Sequence, residues 1–159
     1  MLQKQYTDRT DLEKLKSQWR KLSGLHRRAE WSAAIVRAAT STEISANFAI
    51  RLEFAAKSSL SSKFIDSQLQ WANGLAGKID HLLEPLWLSD KEKHKQIKAL
   101  RSLAKHINAK RNAVVHQGEF CNEGEAQKVI EDARTFIQLV VQQYEPDFSI
   151  PEPWKTSNR

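Results

Sequence analysis

The chain has 159 residues, of which 40% are hydrophobic and 28% charged, and it contains five glycines and four prolines. This composition excludes a disordered chain and favours helices over strands, and the length suits one domain with a buried core. The formal net charge of +6 suits a polyanionic partner without identifying it. Cys121 is the only cysteine, which excludes an intrachain disulfide and a multi-cysteine zinc site and fits a reducing compartment.

Several other classes are excluded by inspection. The amino terminus is polar, unlike a signal peptide, and no apolar run is long enough for a membrane span, so we expect a soluble cytoplasmic protein. The glycines form neither GxGxxG nor GxxxxGK[ST], and neither HExxH nor Glu-x-x-His occurs. The usual dinucleotide, phosphate-loop, zincin and di-iron sites are therefore missing, and we expect neither a cofactor nor a metal.

Apolar residues recur at steps of three and four and predict an all-α fold, a bundle of about five helices in up-and-down antiparallel order. The first helix is expected over residues 8–23, with Gly24 at its end. The second is expected over residues 26–60. The Thr-Ser-Thr cluster at 40–42 is expected to kink or divide it, since Glu43 stands at capping-box spacing from the first threonine.

The third helix is predicted over residues 62–83. Asn73 and two nearby glycines weaken its middle, and Pro85 is expected to end it. The fourth helix is expected to begin near Ser89 or Asp90 and to end at Gly118.

The fifth helix is predicted to open at Asn122, with Glu125 at capping-box spacing. We expect one domain over residues 1–159, with a core over 26–145 and an extended tail over 146–159. Trp154 in that tail is the tryptophan expected to dock on a partner. The other four are expected in the core: Trp19, Trp31, Trp71 and Trp87.

The segment RNAVVH, residues 111–116, carries the residue types needed to cleave RNA without a metal. The ribose 2′-hydroxyl supplies the nucleophile, so a proton-transferring group and a fixed cation can suffice. His116 can move a proton near neutral pH, and Arg111 offers donors to phosphate oxygens in the transition state. These two residues are the candidate catalytic pair.

Spacing alone does not single out this pair, because Arg20–His26 and Arg101–His106 also match R-x4–6-H. The context differs. The stretch around Gly24 predicts a cap and turn, and RSLAKH is expected inside a helix with His106 at its surface. Only RNAVVHQG is expected to end a helix. A structural role, with His116 at the terminal carbonyls and Arg111 on the surface, stays open at this point.

The stretch KRNAVVHQGEF, followed by the capped helix EAQKVIEDARTFIQLVVQQY, resembles the carboxy-terminal half of HEPN domains, which are helical bundles with an R-x4–6-H motif. The upstream segment STEISANFAIRLEFAAKSSL is similar to the earlier core helix of that family. The resemblance covers about residues 30–145. It implies that Arg111 and His116 are catalytic, that Asn112 orients them, and that Glu43 is the acidic supporting residue.

HEPN ribonucleases usually pair two chains so that both motifs line one cleft, so the resemblance also implies a homodimer. A protein inhibitor, antitoxin or defence-complex partner is a further implication. In the HEPN toxins silenced by adenylylation a tyrosine stands two residues after the histidine, where this chain has Gly118. Silencing of that kind is therefore not expected. Lys110 and Lys105 are predicted RNA contacts. The basic runs at 91–98 and 26–28 are expected to be solvated helix surface, with contact to an RNA backbone as the alternative.

Three functions follow from these observations. The first is a metal-independent endoribonuclease in a bacterial toxin, abortive-infection or phage-defence setting. The second is a non-catalytic HEPN domain that binds RNA or a nucleotide as an accessory subunit. The third is a helical protein-interaction module in which the RNAVVH match is accidental.

Overall fold

The computed structural model describes residues 5, 6, 9–72 and 74–155, and every regular element in these ranges is helical. The helices are α1 (Asp11–Arg27), α2 (Trp31–Lys57), α3 (Ser62–Trp71), α4 (Gly74–Lys78), α5 (Glu84–Trp87), α6 (Lys91–His94), α7 (Ile97–Gln117) and α8 (Glu123–Val141). A π-helical turn, Ile79–Leu83, joins α4 to α5. The predicted all-α bundle is confirmed. The predicted helix start at residue 8, the weakening effect of Asn73 and the end of the tail at 156–159 lie outside the described residues.

Helix α2 runs through the centre of the bundle and packs against α1, α7 and α8. Small residues on its buried faces let these neighbours approach closely: Ala34, Ala38, Ser41, Thr42, Ser45, Ala46 and Ala49. One apolar cluster fills the space between α1, the first half of α2, the end of α7 and α8. A second lies between the other half of α2, the helices from α3 to α5, the start of α7 and the end of α8. No helix in the described ranges has the length and apolar character needed to cross a membrane.

The predicted division of the second helix at 40–42 is wrong, because α2 continues from Trp31 to Lys57. The hydroxyls of Thr40, Ser41 and Thr42 donate to the carbonyls four residues earlier, at 2.8 to 3.0 Å. These bonds satisfy the hydroxyls inside the helix, so the side chains do not compete for the backbone. Glu43 therefore lies within a helix and caps nothing.

The end of α1 also differs from the prediction. Gly24 lies inside the helix, which continues to Arg27. The residue in the left-handed conformation is Ala29, with φ 60°. The amides of Ala29 and Glu30 donate to the carbonyls of His26 and Leu25 at 3.1 and 3.0 Å, which is the Schellman pattern. The left-handed residue that follows α1 therefore lies five positions after Gly24, where these short-range hydrogen bonds place it.

The predicted third helix is broken into pieces. Helix α3 ends at Trp71, and Gly74 adopts a left-handed conformation with φ 61°. Pro85 does not end the segment, since it occupies the first turn of α5, where no amide donor is required. Trp71 was predicted in the core but is 79% exposed. Helix α3 buries only Ile65 and Leu69, and Trp71 lies about 200° round the helix from Leu69.

The helix starts and ends around α7 and α8 follow the sequence closely. Asp90 caps α6, a short turn separates α6 from α7, and Gly118 ends α7 with φ 64°. Asn122 opens α8, and its side chain and that of Glu125 form a complete capping box. The start near Asp90, the end at Gly118 and the capping box of α8 match their predictions. The prediction of one continuous fourth helix is wrong, because the turn at residues 95 and 96 divides it into α6 and α7.

The tail packs on its own domain. Ile150 is buried, the Trp19 indole nitrogen donates to the Pro151 carbonyl at 2.8 Å, and Arg134 donates to the Ile150 carbonyl at 2.8 Å. Trp154 is half-buried, and its ring centroid lies 5.4 Å from that of His26. The first core cluster covers part of Trp154, and docking of its remaining surface on a partner stays a prediction.

Candidate functional site

The RNAVVH segment forms the last turns of α7, which stays regular as far as Gln117. Arg111 is half-buried, whereas Asn112 and His116 are exposed. Positions five apart on an α-helix differ by about 140° in direction, so Arg111 and His116 leave α7 on different sides. The helix does not fray to bring them together within one chain.

The Arg111 guanidinium has a hydrogen-bond partner on the next residue but no acidic partner among the described residues. It donates to the Asn112 side-chain oxygen at 3.3 Å. Among the described residues, no carboxylate lies within ion-pair distance of Arg111, and His116 has no hydrogen-bond partner. The site therefore offers an uncompensated cation, an amide beside it and an accessible imidazole.

The Arg101–His106 match is engaged elsewhere. Arg101 pairs with Asp80 at 2.6 Å and also contacts Glu84. His106 Nδ1 contacts the Asp132 carboxylate, which also accepts from Lys128 at 3.1 Å. Arg101 is therefore ion-paired and His106 has a carboxylate partner, so both members of this match are already engaged by residues on neighbouring helices.

The two residues of the Arg20–His26 match differ in their solvent exposure. Arg20 is exposed on α1, whereas His26 is 5% exposed and packs against the Trp31 ring at 5.0 Å between centroids. The predicted cap and turn at Gly24 is wrong here too, since both residues lie on one continuous helix. Of the three matches, RNAVVH alone presents an exposed histidine and an arginine without an acidic partner in the described ranges.

Glu43, predicted as the acidic support of the motif, has a different partner. Its carboxylate accepts from Lys78 Nζ at 2.6 Å, and Lys78 is buried. Asn47 lies one turn further along α2, and its side-chain oxygen is buried without a hydrogen-bond partner in the described structure. No contact joins Glu43 to Arg111 or His116 within these residues. The supporting role of Glu43 stays a prediction.

The two predicted RNA-contacting lysines differ in their surroundings. Lys105 is exposed. Lys110 Nζ lies 2.8 Å from Glu119 and 3.4 Å from Glu125, so its charge is already balanced. Cys121 completes this cluster, whose potential ligand atoms lie within 4.8 Å of one another. Lys110 contacts two of the three potential ligands, Glu119 and Glu125, and burial raises the pKa of the Cys121 thiol.

No sequence pattern predicts the contact between His106 and Asp132, which are 26 residues apart. The only local signal was the spacing of Lys128 and Asp132 on α8, which is typical of an exposed ion pair. A contact of this kind depends on how α7 and α8 are rotated against each other.

Comparison of the chain with protein-family models, with curated proteins and with solved structures finds no match. The function proposed below therefore depends on the geometry of the site and on the resemblance of the motif-bearing segments.

Proposed function

We propose that the protein is a metal-independent endoribonuclease of the HEPN type, with Arg111 and His116 in a site shared by two chains. One observation carries the proposal. RNAVVH alone among the R-x4–6-H segments combines an exposed histidine with an arginine that no described carboxylate neutralises. An arginine left without an acidic partner is available to a phosphate group.

The chemistry needs two proton transfers and charge stabilisation. A base removes the proton from the ribose 2′-hydroxyl, and the oxygen attacks the adjacent phosphorus. The bond from phosphorus to the 5′-oxygen breaks, and that oxygen takes a proton, which leaves a 2′,3′-cyclic phosphate and a 5′-hydroxyl. His116 suits the proton transfer, and Arg111 suits the charge that develops on the phosphate oxygens. Asn112 would hold the guanidinium through the contact described above.

Two features support a shared site. Arg111 and His116 diverge on one straight helix, so a second protomer is the simplest source of a complementary residue. Apolar side chains are also exposed beside the motif, since Val115 is 46% and Phe120 94% exposed. Pairing two chains at this end of α7 would cover them.

The test is cleavage of RNA by the purified protein in EDTA. We expect His116→Ala to reduce the cleavage rate by at least about 100-fold, the usual contribution of a general acid or base. His106→Ala is the matched control, because His106 is also an exposed histidine of α7 and ends the Arg101–His106 match to R-x4–6-H. It should cleave like the unmodified protein. Equal cleavage by His116→Ala and His106→Ala would refute the assignment.

A second candidate is RNA binding without cleavage, as an accessory subunit. It is favoured by the divergence of Arg111 and His116, because a single protomer does not assemble the pair. It predicts salt-dependent binding and no product in the same assay. The resemblance places either function in a cytoplasmic toxin or phage-defence setting, with an inhibitor other than one acting on a tyrosine at position 118.

A further inference from the structure

Helix α1 carries several basic side chains that no carboxylate neutralises among the described residues. Elsewhere, many basic side chains are held by carboxylates, among them Arg51, Lys78, Lys93, Arg101, Lys110 and Arg134. On α1, Lys16, Arg20 and Lys21 are exposed, and none has a carboxylate within ion-pair distance among the described residues. These three unpaired cations lie within two turns of one helix.

These three side chains line two adjoining surface grooves. The first has a volume of about 780 Å³ and is lined by Tyr6, Arg9, Glu13, Lys16, Ser17, Arg20 and Lys21. The second has a volume of about 420 Å³ and is lined by Arg20, Lys21, Gly24, Leu25, Arg28 and Arg37. Arg20 and Lys21 belong to both, so the grooves form one continuous surface, which we call the α1 basic surface.

The arrangement is unfavourable for the isolated fold. Lys16 and Arg20 are four residues apart on a helix, and like charges at that spacing repel. A negatively charged ligand would relieve the repulsion. Glu13 lies in the first groove and Glu30 pairs with Arg28 at 3.4 Å beyond the second, so the acids stand near the two ends of the surface.

The surface suits a nucleic-acid backbone better than a membrane. Among the apolar residues of α1, Leu15, Trp19 and Leu22 are buried, and Leu12 and Leu25 are partly buried against the first core cluster. A membrane-binding helix needs an exposed apolar face that can enter the lipid, whereas the apolar face of α1 packs against the first core cluster. A row of cations over a groove is what an extended chain of phosphates requires.

The α1 basic surface also reaches the end of the bundle that carries RNAVVH. Arg28 follows α1 directly, and α2 starts three residues later at Trp31. Ser32, the next residue, lies beside Cys121, which follows α7 by a few residues. The carboxyl ends of α1 and α7 are therefore at the same end of the molecule.

We infer that the α1 basic surface binds the phosphate backbone of single-stranded RNA and guides it toward the end of α7. The inference takes RNA as the ligand from the proposed function, but it concerns binding and not cleavage. Lys16, Arg20 and Lys21 each contact a phosphate group.

The test is binding of a fluorescent 2′-O-methyl RNA, which lacks the free 2′-hydroxyl needed for cleavage, over a series of salt concentrations. The α1 variant is Lys16→Gln/Arg20→Gln/Lys21→Gln. The matched control, Lys63→Gln/Lys128→Gln/Lys155→Gln, removes three exposed lysines outside α1 that are not predicted RNA contacts, with the same change in charge. For single strands each lost phosphate contact lowers the slope of log K against log salt by about 0.7, so the α1 variant should lose about 2 and the control far less.

A slope in the α1 variant equal to that of the control would overturn the inference, as would the absence of RNA binding by the unmodified protein. Binding of the α1 surface to phosphatidylserine vesicles in place of RNA would overturn it as well. His116→Ala should bind this RNA like the unmodified protein. If the protein binds this RNA but cleaves no RNA, the proposed cleavage fails and the binding inference stands. If it cleaves RNA but the α1 variant binds like the control, the binding inference fails and the proposed cleavage stands. Thermal unfolding of both variants checks that they fold.

Discussion

Glu53 is a carboxylate buried where α2, α5, α6 and the end of α8 meet, with 3% of its surface exposed. Its oxygens accept from Lys93 at 2.8 Å and from the Tyr144 hydroxyl at 2.7 Å, and Lys57 lies 3.0 Å away. The Tyr144 oxygen in turn accepts from the Trp87 indole at 2.8 Å. Buried polar networks of this kind are stabilising only while every member is satisfied.

The network sets the ionisation of its members. Burial by itself would raise the pKa of Glu53, but hydrogen bonds from Lys93, Tyr144 and Lys57 outweigh burial and hold that pKa below its usual value. Burial, with the bond to Glu53, raises the pKa of the Tyr144 phenol, which therefore stays protonated and donating. Because the folded state lowers the pKa of Glu53, the network contributes its full stability above the unfolded pKa of about 4.5 and loses it as the pH falls through the folded value.

We expect Glu53→Gln to lower the free energy of unfolding by about 3 kcal/mol near neutral pH, since it leaves two ammonium groups without their anion. The difference should shrink in acid, where the carboxylate of the unmodified protein is protonated. Urea unfolding of both proteins, over a series of pH values from about 7 downward, measures it. Glu131→Gln is the control, because Glu131 is exposed on α8 and should change stability by less than about 0.5 kcal/mol. A difference that stays constant with pH would contradict the ionic role of Glu53.

At the scale of the element, α1 and α7 are each followed by a residue in the left-handed conformation, which is an alanine after α1 and a glycine after α7. Gly118 adopts the left-handed conformation after α7, and its amide donates to the Ala113 carbonyl. Ala29 adopts the same conformation after α1 and carries the steric strain of its Cβ. Gly24, which sequence favours as the terminator of α1, is helical because the Schellman bonds form five residues later.

Substitutions at these two positions should have opposite signs. Ala29→Gly should raise the free energy of unfolding by about 1 kcal/mol through relief of the left-handed strain, and Gly118→Ala should lower it by about as much. A Cβ at Gly118 would meet nothing within 4 Å, so its cost comes from the backbone and not from a clash. Chemical unfolding measures both. Effects of the same sign would show that the left-handed conformation does not control these helix ends.

The sequence predicts an element well when the signal is local. Asp90, Asn122 and Gly118 act within one turn of their own position, and all three predicted boundaries are confirmed. The region from 62 to 87 was predicted less well. The helix boundaries in this region depend on the left-handed conformation of Gly74 and on a π-helical turn before Pro85. These backbone conformations depend in turn on packing against α2 and α7.

At the scale of the whole molecule, a shared site makes a prediction that a single-chain site does not. If Arg111 of one protomer works with His116 of the other, a dimer of one Arg111→Ala and one His116→Ala chain contains one intact pair. In an equal mixture about half the dimers are mixed, and each has one of its two sites intact. We therefore expect about a quarter of the unmodified cleavage rate from the co-expressed variants and almost none from either alone.

The control for this experiment is co-expression of either variant with the double variant Arg111→Ala/His116→Ala. No dimer in that mixture contains an intact pair of the shared kind, so its cleavage should stay at the level of the single variants. Failure of the complementary mixture, with dimers confirmed by light scattering, would refute the shared site while leaving the cleavage assay of His116→Ala unaffected.

The sequence by itself determined the helical class, the caps of the last two helices and the segment RNAVVH, since composition and signals within one helical turn are enough for these. Tertiary structure decided which charges remain available. Arg101 and Arg111 look alike in the sequence, but Asp80 and Glu84 reach only Arg101. Distant carboxylates neutralise a cation only when helix packing brings them within a few ångströms, and the sequence does not contain that distance.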